Sequence, residues 1–128
     1  MKVPFEQASY LSQVRRLRAL SQEALRLYPL RVEDCRLLGH AENTTFRVTA
    51  NRGRKFLLRI HRNGYHTRAA ILEELRWLQD LSSSILVPKP VQSRQHQLLE
   101  TVESAAAAQT RHCTVVQTLP GHSQIICR

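Results

Sequence analysis

Three groups of residues in this chain are of types and spacings suited to handling phosphate. The first is the segment Gly39-His40-Ala41-Glu42-Asn43-Thr44. Backbone N–H groups in such a turn can line an anion, and a single glycine allows close approach. Most hairpin turns also contain a glycine or asparagine, so an ordinary turn is the competing reading. The second is Arg59 in Phe56-Leu57-Leu58-Arg59-Ile60, a cation one residue before the end of a mainly apolar strand. A guanidinium there can reach over the sheet edge and grip a phosphate bidentately, although a solvated strand charge would look the same. The third is Glu74, three residues after Ile71 and four before Leu78. It therefore borders the apolar stripe of a helix, while Glu73 turns further toward solvent. From that border a carboxylate can pair with Arg59 and fix its direction, or bridge to Arg68 or Arg76 on the helix surface.

The elements that must position these groups follow from the periodicity. Tyr10/Leu11, Val14, Leu17, Ser21, Ala24/Leu25 and Tyr28 recur at helical spacing and predict a helix over residues 6–28, ended by Pro29. Its arginines lie mostly to the side or opposite, so it packs against its own domain or, as a basic amphipathic helix, on a membrane surface. From Leu30 the period falls to about two. Strands are expected at 30–38, 44–50 and 55–60, with the Gly39 to Asn43 turn and a hairpin at Asn51-Arg52-Gly53-Arg54, where Gly53 can take positive φ. Phe46 and Val48 share one strand face, and Phe56, Leu58 and Ile60 another. Lys55, Leu57 and Arg59 lie opposite them.

Thr67 is placed to cap a second helix over 67–81, with Ile71, Leu75, Leu78 and Leu81 as its core stripe and Leu72 alongside. Val87-Pro88-Lys89-Pro90 is a stiff extended connector. Strands near 97–103 and 111–118 follow, and Pro120-Gly121 marks another turn. Consecutive hairpins imply an α+β fold: an antiparallel five-stranded sheet with helix 67–81 packed on one face and a helix at the N-terminus.

Bulk properties exclude several other classes. A chain of 128 residues that is 42% hydrophobic and 23% charged has the makings of one globular domain. No apolar stretch approaches the roughly 20 residues of a membrane span, and Met1 to Tyr10 has no secretory core. Cys35, Cys113 and Cys127 form an odd, widely spaced set without CxxC, which fits a reducing compartment and a cytoplasmic location. His61/His66 and His112-Cys113 lack the paired spacing of zinc sites, so ordinary surface or core roles are expected. The net charge of +9 is spread over every segment, and one Trp, three Tyr and three Phe are too few to interleave it as a stacking platform. Nucleic acid is therefore an unfavoured partner.

Five motifs fall in order between residues 39 and 121: the turn Gly39 to Phe46, the strand Leu57-Leu58-Arg59-Ile60, the helix Glu74-Leu75-Arg76-Trp77-Leu78-Gln79-Asp80-Leu81, the connector Val87-Pro88-Lys89-Pro90, and the strand Val115-Val116-Gln117-Thr118-Leu119-Pro120-Gly121. This order resembles the N-terminal lobe of the aminoglycoside phosphotransferase family, which also includes choline kinase-like and homoserine kinase-like enzymes. The resemblance implies ATP as cosubstrate and phosphoryl transfer to a small-molecule hydroxyl. It gives Arg59 the place of the strand lysine that holds the α/β-phosphates, with Glu74 as its helix partner. His40, Ala41, Glu42, Asn43 and Thr44 would cover the phosphates, and the backbone of Gln117, Thr118 and Leu119 would form the hinge that meets adenine.

The sequence departs from the family pattern in three ways. Arginine replaces lysine at 59. The turn lacks the GxGxxG of protein kinases, so a protein-kinase assignment is unsupported. The family's His-Gly-Asp loop with its Asn, and the later metal-binding Asp, occur nowhere in these 128 residues, and His61-Arg62-Asn63 only imitates the start of such a loop. The expectation is a truncated ATP-binding lobe: residues 1–28 a helical segment, 29–121 the lobe, 122–128 the start of the link to a C-terminal lobe. Alone it would be inactive and bind ATP weakly or not at all, with no catalytic residues and no metal ligands of its own. Mg²⁺ is expected only with the C-terminal lobe. The exposed cleft face would favour a partner chain or self-association. The alternatives are a non-catalytic kinase-like interaction module and a small basic nucleic-acid-binding domain.

Overall fold

The computed structural model describes residues 7–40, 43–62, 66–104 and 109–118. Its centre is an antiparallel sheet. The strands are β1 (Val32–His40), β2 (Asn43–Ala50), β3 (Lys55–His61), β4 (Lys89–Pro90), β5 (Glu100–Ser104) and β6 (Gln109–Gln117). Across the sheet they run β1-β2-β3-β6-β4, and β5 also pairs with β6. The α+β architecture is the expected one, with a sixth strand in place of five. The Pro-rich connector contributes it: Lys89 and Pro90 pair with Gln117 and Val116 of β6. A proline suits that place, at the edge of the sheet, because it has no N–H to leave unpaired.

Two helices cover opposite faces. α1 (Tyr10–Leu25) packs on one side, where Leu17, Leu20, Ala24, Phe46, Val48, Phe56, Leu58, Ile60 and Val115 form the main core. The alternation of β2 is complete, with Thr44, Phe46, Val48 and Ala50 all buried and the residues between them half-buried. α2 (Arg68–Leu81) covers part of the other face, where Ile71 and Leu75 meet Leu57, Leu99 and Val116. Thr67 caps α2 as its position predicts, its hydroxyl oxygen accepting the Ala70 N–H at 3.1 Å.

Several details differ from the sequence reading. α1 starts at Tyr10, capped by Ser9, and Tyr10 and Leu11 are exposed while Leu20 is buried. It ends at Leu25 rather than running to 28, and Tyr28 leaves the helix to bury its ring and donate its hydroxyl to the Cys113 carbonyl at 3.4 Å. Burial drives the Tyr28 phenol pKa upward and pushes the Cys113 thiol up to about 12, so both stay neutral. In α2 Leu78 and Leu81 are only half-buried. Gly39, His40 and Asn43, expected in a turn, belong to strands paired through His40 and Thr44, so the β1–β2 link is tighter. Ala41 and Glu42 lie outside the described residues. The β2–β3 turn holds two left-handed residues, Gly53 as expected (φ +70°) and Arg52 besides (φ 65°).

Candidate functional site

β3 positions the central cation. Leu57, Arg59 and His61 alternate onto the face shared with α2, while Phe56, Leu58 and Ile60 face the core under α1. Across the ladder Arg59 lies between Thr45 on β2 and Thr114 on β6. Its guanidinium Nη1 is 3.5 Å from Glu74 Oε1, with 12% of the Arg59 side chain exposed against 50% for Glu74. Of the pairings open to Glu74 from sequence, the one with Arg59 is formed. Burial lowers the Arg59 pKa and Glu74 counters that loss, so the carboxylate both aims the guanidinium and offsets part of its desolvation. At 3.5 Å the contact is a loose ion pair, which leaves other guanidinium donors for a ligand.

The pair borders a cavity of about 320 Å³, also lined by Asn43, His61, His66 and Ile71. His61 is 4% exposed. Its Nε2 lies 3.1 Å from Thr114 Oγ1, while its Nδ1 is buried with no hydrogen-bond partner among the described residues. Burial first, then the charges of Arg59, His112 and His66, hold its pKa down at about 3, so the imidazole is neutral. Asn43 faces it across the β2–β3 ladder, and its Oδ1 is likewise buried and unpartnered among the described residues. A roomier cavity of about 590 Å³ lies between α1 and β1, lined in part by Arg18, Cys35 and Arg94. It is remote from the Arg59–Glu74 pair, and we place the site by the chemistry of that pair rather than by volume.

The residues singled out in the β1–β2 segment separate. Asn43 lines the Arg59 cavity, but His40 and Thr44 turn toward α1. His40 Nδ1 is 2.7 Å from Thr44 Oγ1, and Nε2 is 3.0 Å from Gln13 Oε1. An amide oxygen only accepts, so Nε2 carries a proton, and Tyr10 stacks edge-on against the ring at 5.5 Å. α1 is thus tied to the segment expected to cover phosphates. A Cβ added at Gly39 would meet nothing within 4 Å, so crowding by the protein does not require glycine there.

At the other end of the site, Gln117 pairs with Phe56 and Lys89. Thr118 donates both its N–H (3.1 Å) and its hydroxyl (3.0 Å) to the Lys55 carbonyl, so that N–H is committed within the protein. Leu119 lies outside the described residues.

Sequence reasoning missed the part of His61, which two-residue spacing from Arg59 on one strand could have signalled. It also missed Arg47, whose Nε is buried without a partner among the described residues, opposite Arg36 and Leu57. No group of three His, Cys, Asp or Glu among the described residues is placed to hold a metal ion. No helix among them is long and apolar enough to cross a membrane.

The chain is similar to the microcompartment-associated aminopropanol kinase (32% identity, TM-score 0.65), the match covering 79% of this chain and 31% of that one. It is also similar to the amicoumacin kinase hAmiN, solved in complex with AMP-PNP, Ca²⁺ and Ami (26% identity, TM-score 0.70, covering 88% of this chain and 34% of that one). The chain spans about a third of the length of these two kinases. No curated protein sequence matches it. Residues 34–124, which hold Arg59, Glu74 and both strands that flank them, match the phosphotransferase enzyme family (APH), and the chain belongs to that family.

Proposed function

We propose that this chain is the nucleotide-binding lobe of a kinase that transfers the γ-phosphoryl group of ATP to a hydroxyl on a small molecule. The observation that carries the reading is the Arg59–Glu74 pair, a mostly buried guanidinium oriented by a helix carboxylate at the mouth of a cavity. Arg59 contacts the nucleotide phosphates, Glu74 orients it, and Asn43 at the start of β2 borders the same cavity. The strand end at Gln117 to Leu119 receives adenine. Phe56 pairs with Gln117 and Arg59 with Thr114, so Gln117 and the strand position of Arg59 lie three residues apart along the ladder, about 10 Å, a span suited to a nucleotide running from base to phosphates.

Phosphoryl transfer relies on positioning and on metal ions that neutralise the developing charge. The 128 residues lack the family's His-Gly-Asp loop, so by themselves they hold nucleotide weakly and give no turnover. Magnesium and the acceptor belong with the family's catalytic lobe. Cys35 and Cys113, both free thiols, support a reducing, cytoplasmic setting. The test is a titration of the isolated chain with ATP, followed by NMR. Binding of millimolar order that Arg59→Ala abolishes, with the fold intact, is the expected result. Equal binding by the Arg59→Ala variant would remove the assignment.

A further inference from the structure

The Arg59 cavity continues past the ion pair to an end that the nucleotide reading does not use. There His61 and Asn43 face each other across the β2–β3 ladder, each with a buried polar atom that has no partner among the described residues. A histidine this buried usually has both nitrogens satisfied, so an unpartnered one that lines a cavity is suited to a ligand. We propose that His61, with Asn43 beside it, is a second phosphate contact that takes the terminal phosphoryl group of a nucleoside triphosphate and so distinguishes it from a diphosphate. The inference rests on the reading of Arg59 as the first contact.

Spacing, hydrogen bonding and charge support it. Arg59 and His61 are alternate residues on one strand face, about 7 Å apart along β3. That is the reach from an inner phosphate of a nucleotide to its terminal oxygens. The Thr114 hydroxyl, 3.1 Å from Nε2, can donate to that nitrogen and leave the proton on Nδ1, which makes Nδ1 a buried donor on a residue that lines the cavity. No hydrogen bond holds the Asn43 side chain among the described residues, so a half-turn of its amide exchanges the unpartnered oxygen for an N–H₂ donor. The Glu74 carboxylate, which would repel an anion, is half-exposed and engaged with Arg59. A neutral imidazole adds a directional hydrogen bond without drawing a further charge into the site, and anions already attracted by Arg59 gain from it.

The experiment measures ATP and ADP affinities of the 128-residue chain, of His61→Leu and of the conservative His61→Gln. Long-range ¹⁵N spectra of the unaltered protein report the state of Nδ1. The unaltered chain should prefer ATP over ADP by about tenfold, the worth of one hydrogen bond to a charged group. His61→Leu should bring the two affinities level by weakening ATP alone, and His61→Gln should restore part of the preference. In the unaltered protein the Nδ1 resonance should move with ATP and not with ADP. An unchanged ATP:ADP ratio in His61→Leu, or an Nδ1 signal indifferent to ATP, overturns the inference while Arg59 binding stands. An Nδ1 signal that moves equally with both nucleotides assigns the contact to an inner phosphate and overturns it too. If neither nucleotide binds the unaltered chain, the underlying reading fails and this one with it. If His61→Leu does not fold, the resonance measurement decides alone.

Discussion

Acidification should unfold this protein partly through one side chain. His61 is buried under α2 against Thr114, and its pKa is held from 6.5 down to about 3. A group whose pKa is lower in the folded state binds more protons when unfolded, so stability falls as pH falls through that window. At pH 4.5 the unfolded histidine is charged and the folded one is not, two pH units below the unfolded value. At about 1.4 kcal/mol per unit, the cost is on the order of 3 kcal/mol. That is a large share of the roughly 5–15 kcal/mol that holds a domain together. The assay is urea unfolding of the unaltered protein and His61→Gln at pH 7 and pH 4.5, followed by far-UV circular dichroism. Circular dichroism is preferred because Trp77, the single tryptophan, is exposed and a poor reporter of the core. The other histidines are common to both proteins and cancel in the comparison. The unaltered protein should lose about 3 kcal/mol more than the variant over that interval. Equal losses would refute the reasoning, and would mean that water entering the cavity solvates Nδ1 in the folded state.

Thr67→Ala removes the hydroxyl that caps α2 and should cost about 1 kcal/mol in the same unfolding assay, with Thr67→Ser costing less. Because α2 carries Glu74, the alanine variant should also weaken ATP binding in the NMR titration, and an unchanged affinity would separate the cap from the site. Beyond the end of α2, Leu86 is 86% exposed and adjoins the exposed Ile85. Apolar surface of this kind favours self-association. Leu86→Glu should shift the protein toward monomer in light scattering at high concentration, and an identical mass profile would exclude this patch as the contact.

Much of this architecture is local and so can be read from the sequence. The period-two pattern that puts Phe46 and Val48 inward, the left-handed turn at Gly53 and the cap at Thr67 each depend on a few neighbouring residues, and each stands where the pattern puts it. The order of motifs that resembles a phosphotransferase lobe is a property of the chain alone, and the family match carries it. What covers a face is not local. Leu57 alternates with Lys55 and Arg59 as though facing solvent, yet it is buried, because α2 returns to pack on it. The connector at Lys89-Pro90 became a strand only because β6 offered it an edge. Of the residues expected over the phosphates, Asn43 reaches the Arg59 cavity while His40 and Thr44 turn to Gln13 on α1. Sequence could supply a carboxylate within reach of Arg59, but Arg68 and Arg76 were equally near along the helix. Only the docking of α2 on the sheet placed Glu74 beside Arg59, because the pair is made by elements that meet through packing rather than through adjacency in the chain.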